Sequence, residues 1–172
     1  MRDPQGVQYV IWQNRAVRFY RASRRLVFDR LFGPAAFTAY QALETLVKAT
    51  LVYWDKTFVP EKAGHRLAGM LRAIENKVPS GRVDVVPRYF FADDLFRVVS
   101  RYPSSGLWIA IPPTFLDDLD SAVVGLVELV PFQFNSELSR ILRGPRGTLR
   151  WIVTHRNTQS RRLQKHVLGR NG

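Results

Sequence analysis

Residues Ala35 to Trp54 admit few architectures. Ala36, Tyr40, Leu43, Val47 and Leu51 form one apolar ridge at helical spacing, and Ala39, Ala42, Leu46 and Ala49 form a second. Gln41, Glu44, Thr45, Lys48 and Asp55 form a narrow polar strip, with Glu44 and Lys48 spaced as an i,i+4 surface pair. A helix apolar over so much of its circumference must be covered on several sides. Small residues along the second ridge let a neighbour approach closely. The segment therefore predicts the central helix of a packed helical domain.

Its surroundings supply the partners. From Trp12 to Phe32, Trp12, Ala16, Phe19, Val27 and Leu31 recur at helical spacing, while Arg15, Arg18, Arg21 and Arg25 form a basic stripe on the other side. Gly33-Pro34 is read as the stop, with Pro34 in the first turn of the next helix. A third helix is predicted from Glu61 to Lys77, opened by Pro60 and burying Leu67, Met70, Leu71 and Ile74. A fourth runs from Arg88 to Ser100. A fifth follows Thr114 to Leu129, with Thr114 to Asp117 read as a capping box.

Beyond Pro131 a short helix is expected over Ser136 to Leu142, then a turn at Gly144-Pro145-Arg146-Gly147. Leu149, Trp151 and Val153 alternate with Arg150 and Ile152, which reads as a short strand. A last basic helix, capped by Asn157 or Thr158, reaches Leu168. The expected fold class is all-α: an antiparallel up-and-down bundle of four to five helices over residues 12–130, followed by a basic C-terminal extension over 131–172.

Charge divides sharply along the 172 residues. Residues 1–30 hold seven basic and two acidic side chains, and residues 136–172 hold nine and one. Residues 31–135 are nearly balanced, so both ends together account for the net +12. Such ends suit a polyanionic partner, with binding that weakens as salt rises. The absence of cysteine excludes disulfides, a thiol nucleophile and thiolate zinc sites. The three histidines are dispersed, so no metal site or other cofactor is expected. No apolar run approaches the ~20 residues of a bilayer span, and no signal layout is read at the N-terminus. The expected location is the cytoplasm, away from membranes.

Three stretches resemble the HEPN domains, named for higher eukaryote and prokaryote nucleotide binding. AAFTAYQALETLVKATL, Ala35 to Leu51, resembles the family's second helix, and PEKAGHRLAGML, Pro60 to Leu71, resembles the start of its third. RYP, Arg101 to Pro103, resembles the segment before its last bundle helix. The resemblance spans roughly Arg18 to Leu129. It implies a helical bundle, often a homodimer, in a family linked to RNA cleavage, nucleotide binding and toxin–antitoxin pairs. Its RNase members carry Arg, four to six residues, then His near the start of the last bundle helix. The corresponding region, Arg101 to Asp118, has no histidine, but the spacing occurs at Arg161 and His166.

Three functions follow as expectations. The first is RNA or nucleotide binding without catalysis. Arg18, Arg21 and Arg25 would contact phosphates from one end of the chain, and Arg150, His155, Arg156, Arg161, Arg162 and Lys165 from the other, with Trp151 as stacking surface. Lys48, His65, Arg101 and Tyr102 are the candidates for a nucleotide pocket. The second is metal-independent RNA cleavage by Arg161 and His166 across a dimer. The third is capping of a protein partner, such as a nucleotidyltransferase-like antitoxin. Each candidate also has a structural reading: His65 as a hydrogen-bonded loop anchor, Trp151 as packing, the arginines as a solvated face. The carboxylates Asp93-Asp94 and Asp117, Asp118 and Asp120 are read as helix N-terminal charges.

Overall fold

A computed structural model describes residues 4–78, 111–132 and 136–169. The fold is all-α. In chain order the helices are α1 (Pro4–Phe28), α2 (Phe32–Trp54), a short 3-10 turn (Pro60–Lys62), α3 (Leu67–Lys77), α4 (Phe115–Val127), α5 (Glu137–Arg143), α6 (Thr148–Thr154) and α7 (Ser160–Leu168). The predicted fourth helix, Asp93-Asp94, Arg101 and Tyr102 lie outside the described residues. Among the described residues no helix is long and apolar enough to cross a membrane.

Helix α2 is central, as its two ridges predict. Both are buried along their whole length, and so are Glu44, Thr45 and Lys48 from the polar strip. Glu44 and Lys48 are therefore a buried pair and not the surface pair that their spacing suggests. α1 packs antiparallel along α2: Tyr9 meets Tyr53 edge-on at 5.3 Å near one end, and Ser23 donates to the Ala35 carbonyl at 2.8 Å near the other. The buried face of α3 is the predicted set of Leu67, Met70, Leu71 and Ile74.

The stop between α1 and α2 lies before Gly33-Pro34. Arg30 takes a left-handed conformation at φ 60°, its N–H reaches the Val27 carbonyl at 3.0 Å, and the Leu31 N–H reaches Leu26 at 2.8 Å. This pair of bonds closes the last carbonyls of α1 as a glycine-type helix end usually does. Gly33 and Pro34 instead occupy the first turn of α2, where the missing N–H of proline costs nothing. The third helix begins at Leu67, because residues 60–62 form only the 3-10 turn. Thr114 precedes α4 without a side-chain cap, so the predicted capping box does not form. Ser136 does cap α5, accepting from the Ser139 N–H.

The expected strand at Leu149 to Val153 is helix α6. Its alternation misleads because Leu149 and Trp151 face solvent, while Ile152 and Val153 are buried side by side. Helical spacing fits the adjacent buried pair, and a lone strand would have left its ladder groups unpaired. Leu138, Ile141, Leu142, Val153, Leu163 and Val167 join the same core cluster as α1 to α4. One core thus runs across residue 130, and the basic C-terminal helices cover a flank of the assembly.

Candidate nucleic-acid interface

A polar node inside the core brings the two basic ends of the chain together. Arg24 of α1 and Asp120 of α4 form an ion pair whose side chains are both 0% exposed. Tyr20 donates to the second Asp120 oxygen at 2.6 Å and accepts from the Asn157 amide at 3.0 Å. The Arg24 Nε donates to the Ile152 carbonyl at 2.6 Å, and a terminal nitrogen donates to the His155 carbonyl. One guanidinium therefore ties α1 to α4 through a carboxylate and to the end of α6 through two carbonyls.

Burial pushes the Asp120 carboxyl above its ordinary range, against the pull of Arg24 and Tyr20. Burial lowers the affinity of Arg24 for its proton, but Tyr20 and Asp120 more than offset this and raise its pKa. Burial, reinforced by Asp120, also raises the Tyr20 hydroxyl, which keeps it a donor. The arginine is the firm charge here, and it holds Asp120 in place of water.

With α6 seated on α1, a cleft of about 710 Å³ opens between Arg18 and Arg21 on one wall and Arg140 and Arg150 on the other. Glu137 is the single acid among its described lining residues. A second cleft of about 620 Å³ shares Gly147, Thr148 and Arg150 with the first, and adds Arg146, Trp151 and Gln164. Trp151 is 44% exposed. Its indole stacks almost parallel on the His155 ring at 4.4 Å, and Phe28 leans against it at 5.2 Å. The pair of clefts is a basic track ending at a braced aromatic face, which suits phosphates followed by an unpaired base.

The predicted contacts divide between this track and other places. Arg18, Arg21, Arg150 and Trp151 line it, and His155 supports Trp151 from behind. Arg25 pairs with Asp29 at 2.8 Å. Arg162 is engaged by both oxygens of Glu128, which raise its pKa. Arg156, Arg161 and Lys165 are exposed and do not line either cleft.

His166 sits with Nε2 3.1 Å from the Val130 carbonyl and its ring edge-on to Phe132. Five residues of α-helix turn Arg161 about 140° away from it, so within one chain the two do not share a face. Lys48 and His65 do come together. The Glu44 carboxylate takes Lys48 at 2.8 Å and the His65 Nδ1 at 2.9 Å, while Tyr40 donates to the His65 carbonyl. That arrangement pins the loop before α3 to α2.

Sequence reading missed Arg140, Arg146 and Glu137 in the clefts, although the Gly144-Pro145-Arg146-Gly147 turn marks where they converge. Arg150 and His155, expected as contacts, also repeat the Arg-x-x-x-x-His spacing that the sequence reading assigns to Arg161 and His166 alone. Arg24 carried no signal beyond its falling on the buried side of α1, between Tyr20 and Val27.

No curated protein and no solved structure matches the chain. A family model described as HEPN domain matches residues 9–112, from α1 to just before α4. That match covers more than half of the sequence, and the chain belongs to the HEPN domain family of nucleotide-binding and RNase-type modules.

Proposed function

We propose that this HEPN domain binds single-stranded RNA along the track formed by its two basic ends. The observation that carries the reading is the convergence of Arg18 and Arg21 with Arg140 and Arg150 in one cleft, although more than a hundred residues separate them. Arginine offers a planar fork matched to phosphate oxygens. Trp151 supplies a stacking face that a paired base cannot reach, which favours single strands over duplexes.

The test is a titration of labelled single-stranded RNA at several salt concentrations, with EDTA present and each sample then run on a denaturing gel. Arg140, Arg146 and Arg150 are the cleft arginines that no acid engages among the described residues. With Arg18 and Arg21 they make five phosphate contacts, which give log K against log salt a slope of about −3.5 for a single strand. Intact RNA bound with that slope, and weakened by Arg150→Ala, is the expected result. Binding indifferent to Arg150 contradicts the reading.

A second reading is metal-independent cleavage at the track, where Arg150 lines both clefts and His155 lies against Trp151. The five-residue offset again turns the pair apart within one chain, so this reading needs the two side chains to act from two copies of a dimer. Cleaved RNA on the same gel, abolished by His155→Ala, would establish it. We also propose a homodimer, a cytoplasmic location and a protein partner such as a nucleotidyltransferase-like antitoxin.

A further inference from the structure

The track has an acid at its most basic point. Glu137 is 13% exposed, and its two oxygens are taken by two different arginines, Arg21 at 2.6 Å and Arg18 at 2.7 Å. It is also the only acidic residue in the last 37 positions of the chain. Its backbone N–H donates to the Asn14 side chain at 2.8 Å, so the residue is held against α1 by a bond that does not involve its carboxylate.

A carboxylate bridging two guanidiniums presents them with what a phosphodiester presents: two anionic oxygens about one bond angle apart. Arg21 is not satisfied by it. Its Nε is buried and makes no hydrogen bond among the described residues, a state that costs free energy. Arg18, by contrast, is 71% exposed and can follow a ligand outward.

We infer that Arg18 and Arg21 form a phosphate subsite, which the Glu137 carboxylate fills in the unliganded protein and which a nucleic-acid phosphate takes over from it. Glu137 is thus a built-in competitor. It disfavours anions that reach only this subsite, because a lone phosphate must displace a tethered carboxylate without help. A strand already held by Arg140, Arg146 and Arg150 next door displaces it as an intramolecular event. The residue sets specificity for extended polyanions over free phosphate or a mononucleotide.

This inference rests on the proposed RNA track, and its test separates the two. Glu137→Gln removes the charge and keeps the shape, and Glu137→Ala serves as a second variant; melting curves establish that each is folded. Single-stranded RNA is titrated across a salt series beside wild type. Both variants are expected to bind about twofold to fivefold tighter at low salt, a gain of the size that a charge pair with one exposed partner supports. The slope should stay near about −3.5, because the bound strand contacts the same phosphates with or without the competitor. Adding Arg18→Ala and Arg21→Ala to Glu137→Gln is expected to erase the gain and to bring the slope down to about −2.

Wild type and Glu137→Gln with equal affinities at low salt, while Arg150→Ala still weakens binding, would overturn the competitor role and leave the track intact. RNA binding that ignores Arg150 in every variant would overturn the track and the subsite with it.

Discussion

Asp120→Ala is expected to destabilise the protein by about 3–5 kcal/mol, because it strands a guanidinium in the core without its counter-charge. Arg24 is 0% exposed, and its remaining bonds go to two carbonyls that cannot neutralise it. Tyr20 loses its acceptor in the same step. For a chain of this length each kcal/mol moves the melting point by about 2–4 °C, so a fall of roughly 10 °C is expected in a thermal melt, with a matching shift of the urea midpoint. Replacing both partners with apolar residues, Arg24→Met with Asp120→Leu, should recover most of the loss, since a buried pair contributes little net stability over a hydrophobic isostere. A change below about 1 kcal/mol for Asp120→Ala would mean that water reaches the node. Binding along the proposed RNA track should suffer too, because the same arginine seats α6.

Trp151→Ala is expected to weaken RNA binding by about tenfold to a hundredfold, the range of one stacked base. The mechanism fixes two further readouts. Trp151 makes no phosphate contact, so the salt slope should stay at its wild-type value. Trp151→Phe keeps a ring against His155 and should retain most of the affinity. Stability should change little, because the indole is 44% exposed and lies outside the core cluster. Weaker binding accompanied by a shallower slope would show instead that the substitution displaced Arg150, its neighbour in the chain.

The apolar pattern made much of this fold legible. The two ridges of α2 specify burial on most sides, and α3 turned its predicted residues inward. Patterning failed where polar side chains do the packing. Gln13, Ser23 and Arg24 lie on the buried face of α1, but a rule that sends charges outward has no place for an arginine whose partners are an aspartate and carbonyls about a hundred residues away. Glu44 and Lys48 misled for the same reason: i,i+4 spacing predicts pairing but says nothing of depth. At α6, two solvent-facing apolar residues imitated the alternation of a strand.

The site was half legible. Charge counting identified both ends as basic, and the arginines of the track are drawn from them. Which arginines converge depends on the Arg24 node, a long-range contact that local sequence does not encode. Arg25 and Arg162 were equally attractive by type, yet Arg25 has Asp29 at i,i+4 in the sequence and Arg162 has Glu128, which only the fold brings near. Glu137 enters the charge count only as one acid among nine bases, although it bridges Arg18 and Arg21 and is the proposed competitor in the cleft.

One strand is expected to contact both ends of the chain at once. Ultraviolet cross-linking of bound single-stranded RNA, followed by mass spectrometry of the cross-linked peptides, tests this most directly. Adducts are expected on the α1 peptide around Arg18 to Arg21 and on the segment from Arg146 to Trp151, both lost in high salt. Adducts confined to the loop around His65, or to the exposed face of α7 at Arg161 and Lys165, would contradict it.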